Sequence, residues 1–320
     1  MKILVPLSKK EFISPYIAAG ADELYMGFYD ESWNQRFGAY ADLNRMSGFG
    51  KRANPYSFAQ LLDVIKMVKD NGKRAFVTMN ANGYSREQIE WMKARYFPAL
   101  ADARADGVIL SDIGVIAAAV SFGLSPVAST MCAIYNTDIA AMYHALGVNR
   151  MILPRDLSLS ELEAICKGMP GVQFEAFFMR NGCIFSDCYC LGMHRPECGA
   201  ACSYTRYGNH AYHHDDQTFR GCHDIEVNDY LYRTAFHVDA CAMCALYRLR
   251  QIGITSLKIV GRADDFDSVR QDIQLTRRNL EIVDECETEK EYLERMLLPG
   301  GFPQKCRMGV SCYYPEVRFS

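Results

Sequence analysis

Eight of the thirteen cysteines in this chain fall between Cys183 and Cys244, whereas only Cys132 and Cys166 precede residue 180. Thiolates are soft donors. In a chain that opens without a secretion signal, so dense a run points to metal or redox chemistry before disulfides. The run reads Cys183-x4-Cys188-x-Cys190-x7-Cys198-x3-Cys202, then Cys222, then Cys241-x2-Cys244. Zinc takes four tetrahedral Cys or His ligands, often as two close pairs. Here the first pair is irregular, and His194, His210, His213 and His214 offer too many further donors to choose among. An iron–sulfur cluster takes four thiolates spread over a longer segment. Spacing alone leaves both readings open, beside the plainer one of buried reduced thiols. A second metal site, again iron–sulfur or zinc, is expected on Cys241, Cys244, Cys306 and Cys312. Cys241 and Cys244 open the helix read over 240–253, where free backbone N–H groups favour thiolates. The aperiodic tail that carries the other two needs fixing, either by metal or by packing of Phe302, Tyr313 and Tyr314.

Other reactive or ligand-binding groups stand where short apolar runs end. Asn80, Asp112, Ser129, Thr130, Arg155, Glu175 and Arg262 are the candidate substrate contacts. Polar groups inside a barrel need partners, so bonding between neighbouring strands is their competing role. Arg155 and Arg262 suit an anionic group such as a carboxylate or phosphate. Tyr25 reads as core or as pocket lining. A peptidase needs a nucleophile with its base, or a metal with a polarised water. Neither His-Glu-x-x-His nor Gly-x-Ser-x-Gly occurs. Cys132 with His144 is conceivable as a pair but has no motif around it. The run His213, His214, Asp215, Asp216 reads as a solvated turn.

The elements that must position these groups are short β-rich runs alternating with amphipathic helical ones. The strands read 3–7, 23–28, 74–80, 107–112, 126–130, 150–155 and 173–178, with an eighth at 256–262. Each is mostly apolar and flanked by Gly, Asn or Asp, as in parallel strands buried on both faces. Helices are expected over 58–72, over 136–147 behind an Asn cap, over 158–171 behind the Ser158/Glu161 capping box, and over 240–253 and 267–285. Eight strand–helix units imply a (β/α)8 TIM-like barrel, with an open doubly wound sheet as the alternative. Residues 1–290 then form one barrel, interrupted between strands seven and eight by a Cys-rich insertion, 179–238, over the active-site face. Residues 291–320 form a Cys-containing tail. Catalytic sites of such barrels lie at the C-terminal ends of the strands, and Cys183 follows strand seven there.

Composition is that of an ordinary globular protein, 49% hydrophobic and 23% charged, with a formal net charge of -3. No overall basic field points to nucleic acid. The apolar start is too short for a signal peptide, and no run approaches a membrane span, so a cytoplasmic protein without membrane association is expected.

In order along the chain, GADELYMGF (20–28), VTMN (77–80), LSD (110–112), STMCAIYN (129–136), LPRDLSLSEL (153–162), FFMRNGCIFSDCYC (177–190), ECGAACSYTRY (197–207) and SLKIVGR (256–262) resemble successive segments of the collagenase-like U32 peptidase family. The family name records protease activity. Similar members take part in oxygen-independent hydroxylation of transfer RNA, ribosomal RNA or the ubiquinone ring, and some hold a 4Fe-4S cluster on signature cysteines. By this resemblance Cys183 and Cys190 are two ligands, Cys198 or Cys202 the third and Cys222 the fourth, with Cys202 favoured by AACSYTRY. The resemblance implies an iron–sulfur enzyme modifying an RNA base or a small aromatic molecule, with a family partner or an electron donor. A peptidase and a non-catalytic cluster-bearing partner protein are the alternatives. Three departures bear on the substrate: a shorter Cys190–Cys198 segment, no appended C-terminal domain, and Val260 where Glu is usual in Lys-Ile-Glu-Gly-Arg.

Overall fold

The computed structural model describes residues 1–38, 41–182, 186–190, 240–300 and 312–319. Eight parallel strands close into a barrel: β1 (Lys2–Pro6), β2 (Glu23–Met26), β3 (Arg74–Met79), β4 (Gly107–Leu110), β5 (Pro126–Ala128), β6 (Arg150–Ile152), β7 (Gln173–Met179) and β8 (Ser256–Ile259). Each strand pairs with its neighbours in sequence, and β8 closes on β1 with Ile3 opposite Leu257. This is the expected TIM-like barrel, and no open sheet edge remains in it. A register shift between Lys258 and Ile259 puts Met179 opposite Ile259, which locally kinks the β7–β8 seam at the mouth. One excursion was not foreseen. After β2 the chain makes a two-stranded parallel pair, Phe28–Tyr29 with Tyr56–Ser57, framing a loop with a 3-10 stretch at Ser47–Arg52.

Local chemistry sets the helices. Ser158 and Glu161 form the capping box of Leu159–Gly168, and Ser57 with Gln60 does the same for Phe58–Asp70. Asn136 caps Thr137–Ala145 by accepting from the Ile139 N–H. The stretch expected as one helix over 240–253 is different. Cys241 sits in an isolated β-bridge, Met243–Ala245 form a 3-10 turn, and the α-helix starts only at Leu246. Bridging to Met179 and to Cys312 holds Cys241 extended, so tertiary pairing overrides the helical pattern there. Neither cysteine therefore stands at an α-helix N-terminus. Among the described residues no helix is long and apolar enough to cross a membrane.

Inside the barrel the lower layer is charged. Arg150 donates to Glu175 Oε1 at 2.5 Å and Glu23 Oε1 at 2.8 Å, with its third nitrogen on Glu23 Oε2. Ser256 Oγ donates to Glu23 at 3.1 Å, and the guanidinium lies 4.4 Å from the Phe76 ring centroid. Removing one member leaves the others desolvated and unpaired. Arg150→Met is expected to lower unfolding stability by about 3–5 kcal/mol, read as the shift in urea-unfolding free energy. A loss below about 1 kcal/mol would show the network to be dispensable.

Candidate functional site

At the C-terminal ends of the strands lies a cavity of about 310 Å³. Arg45, Arg52, Arg155, Lys258 and Arg262 line it, with Asp264 as the carboxylate on its wall and Tyr25, Phe49 and Phe177 as its aromatic surfaces. Five of the seven sequence-read contacts, Asn80, Ser129, Thr130, Arg155 and Arg262, line this cavity together. The other two lie elsewhere. Asp112 caps the helix Ile113–Ser121, accepting from Val115 N at 3.0 Å and from Tyr84 N at 3.3 Å. Glu175 is fully buried in the charged layer below.

Arg262 is the most constrained cation here. Its guanidinium is buried and, among the described residues, donates only to neutral oxygens: Thr78 Oγ1 at 2.8 Å, and Asn54 Oδ1 and Asn44 Oδ1 at 3.2 Å each. Burial pushes its pKa down to about 10, slightly offset by Tyr25. Gly27 makes this possible. A Cβ there would stand 2.1 Å from Asn54 Oδ1 and 2.2 Å from Arg262 Nη1, so only glycine lets the backbone pass. Burial also pushes the Lys258 amine down to about 8, against the opposing pull of Glu175. Desolvation holds the Asp264 carboxyl above its ordinary range, although Asn181 donates to it at 2.9 Å.

A second ion cluster joins the mouth to the start of the Cys-rich insertion. Asp187, fully buried, accepts from Arg45 Nη1 at 2.5 Å, Arg155 Nε at 2.7 Å and Thr130 Oγ1 at 3.1 Å. Despite burial, the two guanidinium groups hold its carboxyl well below the usual carboxylate range. Arg155 also stacks 4.0 Å from the Phe177 ring centroid. Just before, Arg180 and Asn181 have φ of 64° and 44°, the left-handed region that costs a non-glycine residue about 1–2 kcal/mol. Arg180 N donates to Ala240 O at 2.7 Å, so this turn carries the chain out of β7 and onto the segment before β8. Cys190 follows Asp187 at the rim. Its N–H donates to Asp187 O at 3.1 Å, and its carbonyl accepts from Asn82 Nδ2 at 2.8 Å.

Cys183, Cys198, Cys202, Cys222 and Cys306 lie outside the described residues, as do His194, His210, His213 and His214. Cys241 and Cys312 are brought together by a parallel bridge, and Cys244 is buried nearby. Among the described residues no three His, Cys, Asp or Glu side chains gather as a metal-binding group. Cys132 is buried against Leu110 O at 3.5 Å, and burial pushes its thiol up to about 12, which suits an inert core cysteine. The His144 ring bonds to Val148 O at 3.0 Å on the outer helix layer.

The family model for peptidase family U32 matches residues 9–299. The chain belongs to peptidase family U32. This U32 protein is 25% identical over 298 residues to an uncharacterized protease of Methanocaldococcus jannaschii, covering 88% of this chain and 66% of that one. It is 24% identical over 164 residues to a collagenase of Porphyromonas gingivalis, covering 51% and 35% of the two chains. It is 24% identical over 193 residues to tRNA hydroxylation protein P of Helicobacter pylori, covering 60% and 42%. The U32 chain thus spans less than two thirds of the length of each of these relatives.

Lys258, Asp264, Arg45 and Asp187 are parts of this site that were not singled out from sequence. Lys258 had a signal, a charge inside an otherwise apolar strand, and Asp264 follows Arg262 closely. Arg45 and Asp187 sit in aperiodic loops and had none. Asp187 gives a pH prediction. Its folded pKa is depressed, so its contribution to stability is complete above its unfolded value of about 4 and is lost as pH falls below that. Asp187→Asn is expected to lower the urea-unfolding midpoint by a constant amount from pH 7 to pH 5. The gap to the unsubstituted protein should then narrow below about pH 4. A gap that widened in acid would contradict the assignment.

Proposed function

We propose that this U32 protein is an iron–sulfur enzyme that modifies an RNA base or a small aromatic molecule, with an anionic group of the ligand bound at the barrel mouth. The observation that carries the binding part is Arg262: a buried cation given, among the described residues, only neutral acceptors, facing a cavity with an aromatic wall. A buried charge without a counter-charge is costly, and a ligand carboxylate or phosphate beside Arg262 and Arg155 removes that cost. Phe177 and Tyr25 offer flat faces for a planar group. The name of the Helicobacter pylori relative supports a modification role, and that of the Porphyromonas gingivalis relative supports peptidase as the second reading. Against the second reading, Cys132 and His144 make no nucleophile–base pair: the thiol is bonded into the core and the imidazole to its own helix end.

The cluster reading rests on the donor set. Cys190 is held at the rim by Asp187 and Asn82, and Arg45 bonds to that same Asp187, so a thiolate ligand there would have a guanidinium close by. Cys183, Cys190, Cys198 or Cys202, and Cys222 are the proposed ligands. Cys241, bridged to Met179 four positions before Cys183, competes with Cys222 for the fourth place. The alternative second site on Cys241, Cys244, Cys306 and Cys312 draws support from the Cys241–Cys312 bridge, with zinc as its alternative metal. A bound cluster supplies one-electron chemistry. Electrons then come from a partner protein, of the same family or otherwise, or from a small donor.

Anaerobically purified protein is expected to carry iron and sulfide in equal amounts and to absorb near roughly 400 nm, as protein clusters do. Cys190→Ala and Cys183→Ala are each expected to lose both. Full iron and sulfide in either variant removes that residue from the ligand set. Independently, Arg262→Gln is expected to weaken calorimetric binding of glycolate or inorganic phosphate by about 10–100-fold, the range for one charge-assisted hydrogen bond. Unchanged affinity would move the anion elsewhere.

A further inference from the structure

We propose that Lys258 is an amine nucleophile that condenses with the carbonyl group of an anionic aldehyde or ketone held in the barrel mouth. The proposal rests on the anion-binding reading of the pocket and adds a covalent step to it. Lys258 lies on β8 and lines the cavity, with its side chain 8% exposed. The carboxylate oxygen it approaches is Glu175 Oε2 at 3.8 Å, too long for a hydrogen bond. That oxygen is itself buried and has no hydrogen-bond partner among the described residues, because Arg150 engages the other oxygen of Glu175. A structural lysine–carboxylate pair closes to about 2.7–2.9 Å. Here an amine and a carboxylate oxygen face each other across a gap, on the floor of a ligand-sized cavity. The Tyr25 ring, with its centroid 4.6 Å from Nζ, forms one wall.

Burial and three guanidinium groups favour the neutral amine, whereas Glu175 and the face of the Tyr25 ring favour the ammonium. Arg150 from β6, Arg155 beyond it and Arg262 beyond β8 all repel the ammonium, and burial adds to them. The amine, pushed down to about 8, is therefore partly neutral near pH 7, as a nucleophilic lysine must be. The nitrogen lone pair attacks the carbonyl carbon and the C=O π pair moves to oxygen. Glu175 Oε2 carries one proton from nitrogen to the alkoxide, giving the carbinolamine hydroxyl, and then a second as the nitrogen lone pair forms C=N and the C–O bond breaks to release water. The net change is carbonyl plus amine to imine plus water, with no oxidant or reductant. Arg262 and Arg155 hold the carboxylate or phosphate that orients the carbonyl.

The test uses the full chain with sodium cyanoborohydride and, in separate arms, glyoxylate or glycolaldehyde phosphate. Peptide mass mapping then locates the secondary amine left by reduction. Modification of Lys258 is expected at least about tenfold faster than at exposed lysines, whose neutral fraction near pH 7 is far smaller. The faster arm tells whether the site prefers carboxylate or phosphate. Lys258→Arg should abolish that adduct, and calorimetric binding of glycolate or phosphate to the unsubstituted chain is read separately. Adducts on surface lysines with Lys258 unmodified, while those anions still bind, would overturn the imine and leave the pocket reading intact. If neither anion binds and Lys258 stays unmodified, both fall.

Discussion

A guanidinium in the middle of the barrel, Arg150, governs what the mouth above it can be. It is bonded to Glu23 on β2 and to Glu175 on β7, so one side chain ties strands across the barrel interior. Branched apolar side chains usually fill these layers. Here a charged layer substitutes for them, which requires every polar atom to find a partner. Glu23 finds Arg150, Arg74 and Ser256, but among the described residues Glu175 is only half satisfied. The unsatisfied oxygen points toward Lys258, and the electrostatic imbalance of the core is thereby passed up to the cavity floor.

The upper cluster works differently. Asp187 belongs to the insertion, while Arg45 follows β2 and Arg155 follows β6. Three separate loops therefore meet in one desolvated ion cluster, and Cys190 is fixed a few residues beyond it. Because Arg155 also stacks on Phe177 in the cavity wall, the same side chain touches both the ligand space and the anchor of the cysteine segment. Any ligand drawing on Arg155 competes with Asp187 for it, so binding and the placement of the cysteine segment are physically linked at that residue.

The barrel was legible because parallel strands buried on both faces leave continuous apolar runs, and all eight were readable at 3–7 through 256–262. Helix starts were readable where the cap is local, as at Ser158 with Glu161 and at Asn136. Legibility ended where long-range pairing decides. Cys241 follows a helical pattern in sequence but is held extended by Met179 and Cys312. Glu175 and Arg155 both stand at strand ends in sequence, yet the first points into the charged layer and the second into the cavity. Side-chain alternation along a three- to seven-residue strand cannot assign that depth without the register, which the kink between Lys258 and Ile259 alters. Arg45 and Asp187 are loop residues whose pairing across 142 positions leaves no local trace.

Val260 brings these strands of argument together. It lines the cavity two positions from Lys258 and two from Arg262, where the resembling family element carries Glu. A carboxylate at that position would stand among Arg262, Lys258 and Arg155, neutralise part of their field and occupy the place of a ligand anion. With valine the carboxylates near these cations among the described residues are the interior Glu175, Asp187 on Arg155, and the wall carboxyl of Asp264, whose ionisation burial already opposes. One apolar substitution on β8's extension thus makes the mouth more cationic and its lysine less basic. On the proposed anion-binding reading this favours anionic ligands, without altering the barrel that carries the pocket.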